Sequence, residues 1–154
     1  LTNDIKTPIL ENEMNTKMNL IKNCLESNNV KPTFIRVKTL EYLNANKTHP
    51  TADAIYEKLE KEIPTISRTS VYNTLNLFSE LGLICTISIT GKESRYDINL
   101  APHHHFLCEK CGRIIDLDVK CQYQKNGTVN GHKITEWHGY FKGVCKECQK
   151  NRRR

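Results

Sequence analysis

Ser67-Arg68-Thr69-Ser70-Val71-Tyr72-Asn73-Thr74-Leu75-Asn76-Leu77-Phe78-Ser79-Glu80-Leu81-Gly82 holds a start, an apolar stripe and a stop in one stretch. Ser67 can cap the free amides of a helix start. Val71, Leu75 and Phe78 recur at the helical period, and Gly82 suits the left-handed residue that ends a helix. Beyond Gly82 the period shortens to two. Ile87 and Ile89 alternate with Ser88 and Thr90, Thr90-Gly91-Lys92 is a turn signal, and Tyr96 and Ile98 flank Asp97, which predicts a β-hairpin. Upstream, Met18, Ile21 and Leu25, with Leu20 and Cys24, predict a first amphipathic helix ended by Asn28-Asn29. Thr33 can cap a second, with Phe34, Val37, Leu40 and Leu43 inward, and Thr51 a third, with Ile55, Tyr56 and Leu59 inward and Pro64 at its end. Helices followed by a hairpin describe a winged helix-turn-helix, the hairpin being the wing.

The fold class is therefore α+β, in two parts. From Asn99 onward His, Cys and Gly become dense and short β-like runs appear at Phe106-Leu107, Ile114-Ile115 and Tyr140-Phe141. This places a winged-helix domain at 1–97 and a second domain at 98–154. A piece of that size with few apolar side chains needs a metal, a disulfide or a partner chain for stability. The 154 residues include seven cysteines, an odd number. Leu1 to Thr16 are polar and lack an apolar core, so no secretory signal is expected, and metal or redox chemistry in a reducing cytoplasm is the better reading of the thiols. No apolar run is long enough to cross a membrane. The net charge is +6, yet residues 1–100 carry twelve Lys/Arg against twelve Asp/Glu. The excess lies in the last 54 residues, partly in Arg152, Arg153 and Arg154, so overall charge does not argue for nucleic acid.

The strongest local signal is Cys108-Glu-Lys-Cys111 with Cys145-Lys-Glu-Cys148. Each pair bends back to aim two thiolates at one point, and two pairs complete a tetrahedral zinc shell. Gly112 fits the tight turn after the first pair, and the 33 residues between Cys111 and Cys145 leave room for small strands. Two unrelated thiol pairs or a dithiol redox site are the alternatives, although a redox pair normally opens a helix in a βαβ unit. Cys24, Cys85 and Cys121 have no partner at ligand spacing, and Cys24 is expected in the core. A second signal is Asp97…His103-His104-His105…Asp116. On an extended segment His103 and His105 share a side and His104 faces the other. A solvated His run is the plainer reading of the triplet alone. The flanking carboxylates and the adjacent thiol pair favour a nitrogen–oxygen site for iron(II), manganese(II) or zinc.

These features in this order resemble the ferric-uptake-regulator (Fur) family of metal-dependent repressors. The similarity rests on His49-Pro-Thr-Ala-Asp-Ala-Ile-Tyr56, Ser67 to Leu75, Leu81-Gly-Leu-Ile84, Tyr96-Asp97, His103-His-His-Phe-Leu-Cys-Glu-Lys-Cys-Gly112, Ile115-Asp116 and Gly143-Val-Cys-Lys-Glu-Cys148. The resemblance implies a homodimer with a DNA-binding winged helix and an α/β dimerisation domain. It implies structural zinc on Cys108, Cys111, Cys145 and Cys148. It implies a regulatory Fe2+ or Mn2+ on His49, Asp97, His103, His105 and Asp116. Metal joining the two halves would orient two winged helices for a palindromic operator. The Asp pair looks most like the peroxide-sensing branch, in which iron-catalysed oxidation of a ligand histidine, here His49 or His103, relieves repression. An iron- or zinc-responsive uptake repressor is the nearest alternative. Thr33-Phe34-Ile35-Arg36 departs from the family's usual Thr-Pro-Gln-Arg, and Tyr123 and Trp137 stand where many relatives carry ligands of a further metal site. Asn126-Gly127 and Asn130-Gly131 between Asp118 and Thr135 point to a shortened dimer-domain helix.

For DNA, the fourth helix would present Arg68, Thr69, Ser70, Tyr72 and Asn73 to bases. Lys31, Arg36 and Lys92 would meet phosphates. Tyr72 is otherwise a core aromatic, but Val71, Leu75 and Phe78 already fill the inward stripe. A metal-dependent hydrolase, a thiol oxidoreductase and a metal buffer are the competing classes. No carboxylate or nucleophile is left over to serve as a base, so no enzyme is expected.

Overall fold

The computed structural model describes residues 6–89, 91, 93–101, 103–119, 127–134 and 139–150, with side chains from Asn15 onward. The chain divides into two compact units, 1–87 with 93–100 and 88–92 with 101–154.

The first unit is helical with a two-stranded ribbon. Helix α1 (Lys6–Ser27) begins well before the apolar period at Met18. It ends at Asn29, which has φ 58°. There Val30 N–H donates to Leu25 O and Asn29 N–H to Glu26 O, the paired bonds of a left-handed helix stop. Helix α2 (Phe34–Ala45) follows Thr33, whose extended backbone starts it without a side-chain cap bond. Helices α3 (Ala52–Leu59) and α4 (Arg68–Glu80) are capped as their sequences require: the Thr51 hydroxyl accepts from Ala54 N–H and the Ser67 hydroxyl from Ser70 N–H. Gly82, at φ 65°, ends α4 with bonds from its N–H to Ser79 O and from Leu83 N–H to Phe78 O. Strands β1 (Cys85–Ile87) and β2 (Arg95–Asp97) pair antiparallel with Thr86 opposite Tyr96. Within this ribbon, Thr90 and Lys92 lie outside the described residues.

One core holds these elements together. Leu25, Val37, Leu43, Ile55, Leu59, Val71, Leu75 and Phe78 are all at most 3% exposed. Three expected core positions are not in it. Leu20 and Phe34 are 63% and 60% exposed, and Cys24 is exposed. Neighbouring helices cover only the line through Ile21 and Leu25, and Leu20 and Cys24 stand on its shoulders. Phe34 is the first residue of α2 and overshoots the core edge. Its ring instead lies 5.9 Å from the Lys38 ammonium, and Thr39 takes a buried place in the stripe.

The second unit is a small sheet. Strand β3 (His104–Cys108) lies between β4 (Ile114–Leu117), antiparallel, and a later strand β7 (Tyr140–Gly143), parallel. In the connection, β5 (Thr128–Val129) and β6 (His132–Lys133) form a hairpin. Asn130 and Gly131, at φ 49° and 82°, supply the two positive-φ residues that its two-residue turn requires. Where a shortened helix was expected, the described part of this connection is a hairpin. Helix α5 (Lys146–Lys150) follows β7. Cys121, Tyr123, Trp137, His138 and the terminal arginines lie outside the described residues.

Candidate metal centres and nucleic-acid interface

The thiol cluster is assembled by strand register. Cys108 ends β3 directly beside Gly143 of β7, so Cys145, two residues further on, falls next to it. Glu109 N–H donates to Gly143 O, Gly112 N–H to Cys108 O and Cys145 N–H to the Cys108 sulfur at 3.3 Å. Gly112, at φ 69°, turns the chain back so that Arg113 O accepts from Cys108 N–H. Cys148 arrives on the first turns of α5. The four sulfurs lie within 4.8 Å of one another, a spacing that a tetrahedral zinc shell requires.

Their ionisation is uneven. The Cys145 amide leads in lowering the Cys108 thiol to about 6. Cys111 is also lowered, first by its bond from Arg113. Contact with Cys145 leads in pushing Cys148 up to about 12. Four sulfurs this close resist becoming four thiolates without a cation, and a zinc ion would supply one. Arg113 supplies further positive charge. Its Nε lies 3.4 Å from Cys111 Sγ and its Nη2 3.5 Å from Cys145 Sγ, while Glu147 holds the same guanidinium at 3.1 Å. Sequence reasoning missed Arg113, although a cation two residues after a thiol pair was a readable signal.

The nitrogen–oxygen donors occur in both units, and each set stands on its own geometry. In the sheet, β3 and β4 place His105 directly opposite Asp116. His103 Nε2 lies 2.9 Å from His105 Nε2 and 3.5 Å from Asp116 Oδ1, and His105 Nε2 lies 3.8 Å from that oxygen. His103 Nδ1 is 2.7 Å from Ala101 O. A carbonyl only accepts, so Nδ1 carries a proton there, and in the neutral ring the lone pair falls on Nε2. His104 points away, 1% exposed, with its ring edge-on to Phe141 at 5.9 Å.

In the helical unit, backbone pairing brings together two residues far apart in sequence. Tyr96 N–H donates to Pro50 O, and Thr51 bridges Arg95. His49 Nε2 and Asp97 Oδ2 thereby lie 3.7 Å apart, at 2% and 3% residue exposure. His49 sits at φ 52°, an uncommon backbone for a residue with a side chain, of the kind that concentrates at functional sites. Asn99 N–H donates to Asp97 Oδ1 and Arg95 donates to His49 O, which fix this corner. A buried carboxylate beside a buried imidazole is costly to keep in an apolar setting, and a bound cation offsets that cost. Both donor sets fit iron(II), manganese(II) or zinc by chemistry.

On α4 the buried face is Val71, Thr74, Leu75 and Phe78. Arg68, Thr69, Tyr72 and Asn73 are exposed on the other face, with Tyr72 43% exposed, and the Ser70 hydroxyl is bonded to Ser67. Asn76 continues the exposed face one turn further. Lys31 is exposed, and Arg36 donates to Lys31 O at 3.0 Å. The third-helix residues Asp53 and Tyr56 engage Arg68, a relation that no local pattern signals.

Comparison with known proteins supplies the lineage. Residues 27–149 match the Ferric uptake regulator family. A peroxide-responsive repressor PerR of Staphylococcus aureus is 35% identical over 128 residues, 78% of this chain and 83% of that protein. The structure of a Campylobacter jejuni peroxide stress regulator superimposes with TM-score 0.64 at 29% identity, covering 85% of this chain and 98% of that one. That of the Vibrio cholerae ferric uptake regulator does so with TM-score 0.67 at 26% identity, covering 80% and 98%. The winged-helix and dimerisation-domain architecture agrees with these structures. Proteins of this family bind DNA and act as dimers. The chain belongs to the ferric uptake regulator family and is a metal-dependent transcription regulator rather than an enzyme.

Proposed function

We propose that the protein is a homodimeric repressor that binds a palindromic operator in the cytoplasm and is released from it by hydrogen peroxide. Residues 1–97 bind DNA, through Arg68, Thr69, Ser70, Tyr72 and Asn73 to bases and Lys31 and Arg36 to phosphates. Residues 98–154 form the dimer. Cys108, Cys111, Cys145 and Cys148 hold structural zinc. His49 and Asp97 of the helical unit join His103, His105 and Asp116 of the sheet around one regulatory metal.

The observation that carries this reading is the split donor set: a buried His49–Asp97 pair in one unit and a convergent His103–His105–Asp116 set in the other. A cation taking ligands from both favours one mutual orientation, and losing a ligand releases it. That is differential binding to the DNA-competent state. The two carboxylates are both aspartates, and the 35% identity to a peroxide-responsive repressor supports the same stimulus. Iron(II) held by these residues would supply one-electron redox chemistry toward peroxide, and the imidazoles of His49 and His103, as its ligands, would be the groups exposed to the oxidant. The protein's part is to hold those rings by the Ala101 carbonyl and the His49 corner.

The test compares DNA binding of anaerobically purified protein with zinc only, with manganese(II) and with iron(II), each before and after a stoichiometric peroxide pulse. Loss of binding in the iron form alone, with one added oxygen on a peptide containing His49 or His103, is expected. Peroxide-insensitive binding that follows metal occupancy would make the protein a metal-uptake repressor instead.

A further inference from the structure

Arg68 is the first residue of α4, where a cation opposes the positive end of the helix dipole. Its presence there does not serve the helix. The guanidinium is nevertheless held. Its Nη1 donates to Asp53 Oδ1 of α3, and its Cζ lies 4.4 Å from the centre of the Tyr56 ring, also of α3. Tyr56 is itself fixed, its hydroxyl donating to Glu60 Oε1 at 2.6 Å. Asp53 is in the first turn of α3, where a carboxylate is favourable on its own account. One face of the guanidinium is thus stacked and one nitrogen engaged. The side chain remains 54% exposed, and the nitrogen that donates to Asp53 is Nη1, which leaves Nε and Nη2 as the other edge of the planar fork.

We propose that Arg68 reads a guanine in each operator half-site, and that Asp53 and Tyr56 are positioning residues that hold its fork for that contact. This deepens, and rests on, the reading of α4 as the helix that enters the major groove. Guanine alone among the bases presents two acceptors, O6 and N7, on its major-groove edge, matching two parallel N–H donors. An arginine already restrained by stacking and an ion pair loses less side-chain freedom on binding than a free one. An exposed Asp–Arg pair serving stability alone contributes little, and it would not require a planar cation at a helix start.

The experiment uses the full-length manganese-loaded protein and the duplex it selects from a random pool. Each base pair of the half-site is then replaced in turn, including guanine by 7-deazaguanine. For the unaltered protein, one guanine position should show a penalty of about 5- to 150-fold. In Arg68→Ala and Arg68→Lys that penalty should fall close to onefold, while penalties at the other positions persist. Asp53→Ala should leave an intermediate penalty at that same position. Arg68→Lys keeps the charge and guards against a folding artefact, as do unchanged zinc content and thermal midpoint. A uniform loss of affinity in Arg68→Ala with the base profile intact would overturn the proposal and make Arg68 a phosphate contact. Loss of the guanine penalty in Arg68→Ala but not in Arg68→Lys would overturn the bidentate reading. No sequence preference in the unaltered protein would instead defeat the underlying reading of α4.

Discussion

Asp97 carries two obligations at once. It ends β2, and it sits 3% exposed against an equally buried imidazole. Asp97→Ala should weaken manganese(II) binding by at least about tenfold, since it deletes a proposed ligand where even an outer partner contributes that much. Zinc content should stay at one per chain by elemental analysis, because the thiol cluster shares no residue with this pair. Arg113 acts through others: it donates to two sulfurs and offers no ligand atom of its own. Arg113→Ala should lower zinc affinity about 10- to 100-fold in competition with a chromophoric chelator, leaving the ligand set intact. Arg113→Lys should recover only part, since a point charge cannot direct two N–H groups at two sulfurs.

The helices are set by chemistry at their ends as much as by their stripes. Thr51 and Ser67 each satisfy an amide that the helix cannot. Thr51→Ala should cost about 0.5–2 kcal/mol in denaturant unfolding of the helical unit. It also sits beside His49 and bridges Arg95, so the same variant should weaken manganese(II) binding, which Ser67→Ala should not. The capped starts, the Gly82 stop, the strand runs at β3, β4 and β7 and the thiol spacing were all legible in sequence, because each depends on residues within a turn or two. The α1 and α2 stripes were only partly legible. Periodicity names a face but not the width that neighbours will cover, which is why Leu20, Cys24 and Phe34 stand in solvent.

The two units differ in what stabilises them. The helical unit has a shared apolar core drawn from all four helices and the wing. The buried residues described in the sheet from His104 onward are His104, Cys108, Ile114 and Cys145, and two of these are proposed zinc ligands. Zinc removal by a strong chelator should therefore unfold the sheet and leave the helices. Amides of β3, β4 and β7 should lose hydrogen-exchange protection while those of α2 and α4 keep it, and most helical circular dichroism should remain. A single cooperative collapse of all signals would contradict this division. Zinc binding would in that sense be part of the folding free energy of the sheet.

Spacing along the chain was enough to bring out the helix caps, the wing, the paired Cys-x-x-Cys knuckles and the His103–His105 alternation, since backbone geometry within a few residues carries that information. It could not bring Asp97 to His49, which needs the Tyr96–Pro50 backbone bond across 46 residues. Nor could it set Arg68 on Tyr56 and Asp53 or aim Arg113 at the sulfurs of Cys111 and Cys145. Those relations arise only when separate elements pack, because the contacts belong to surfaces that no single segment possesses.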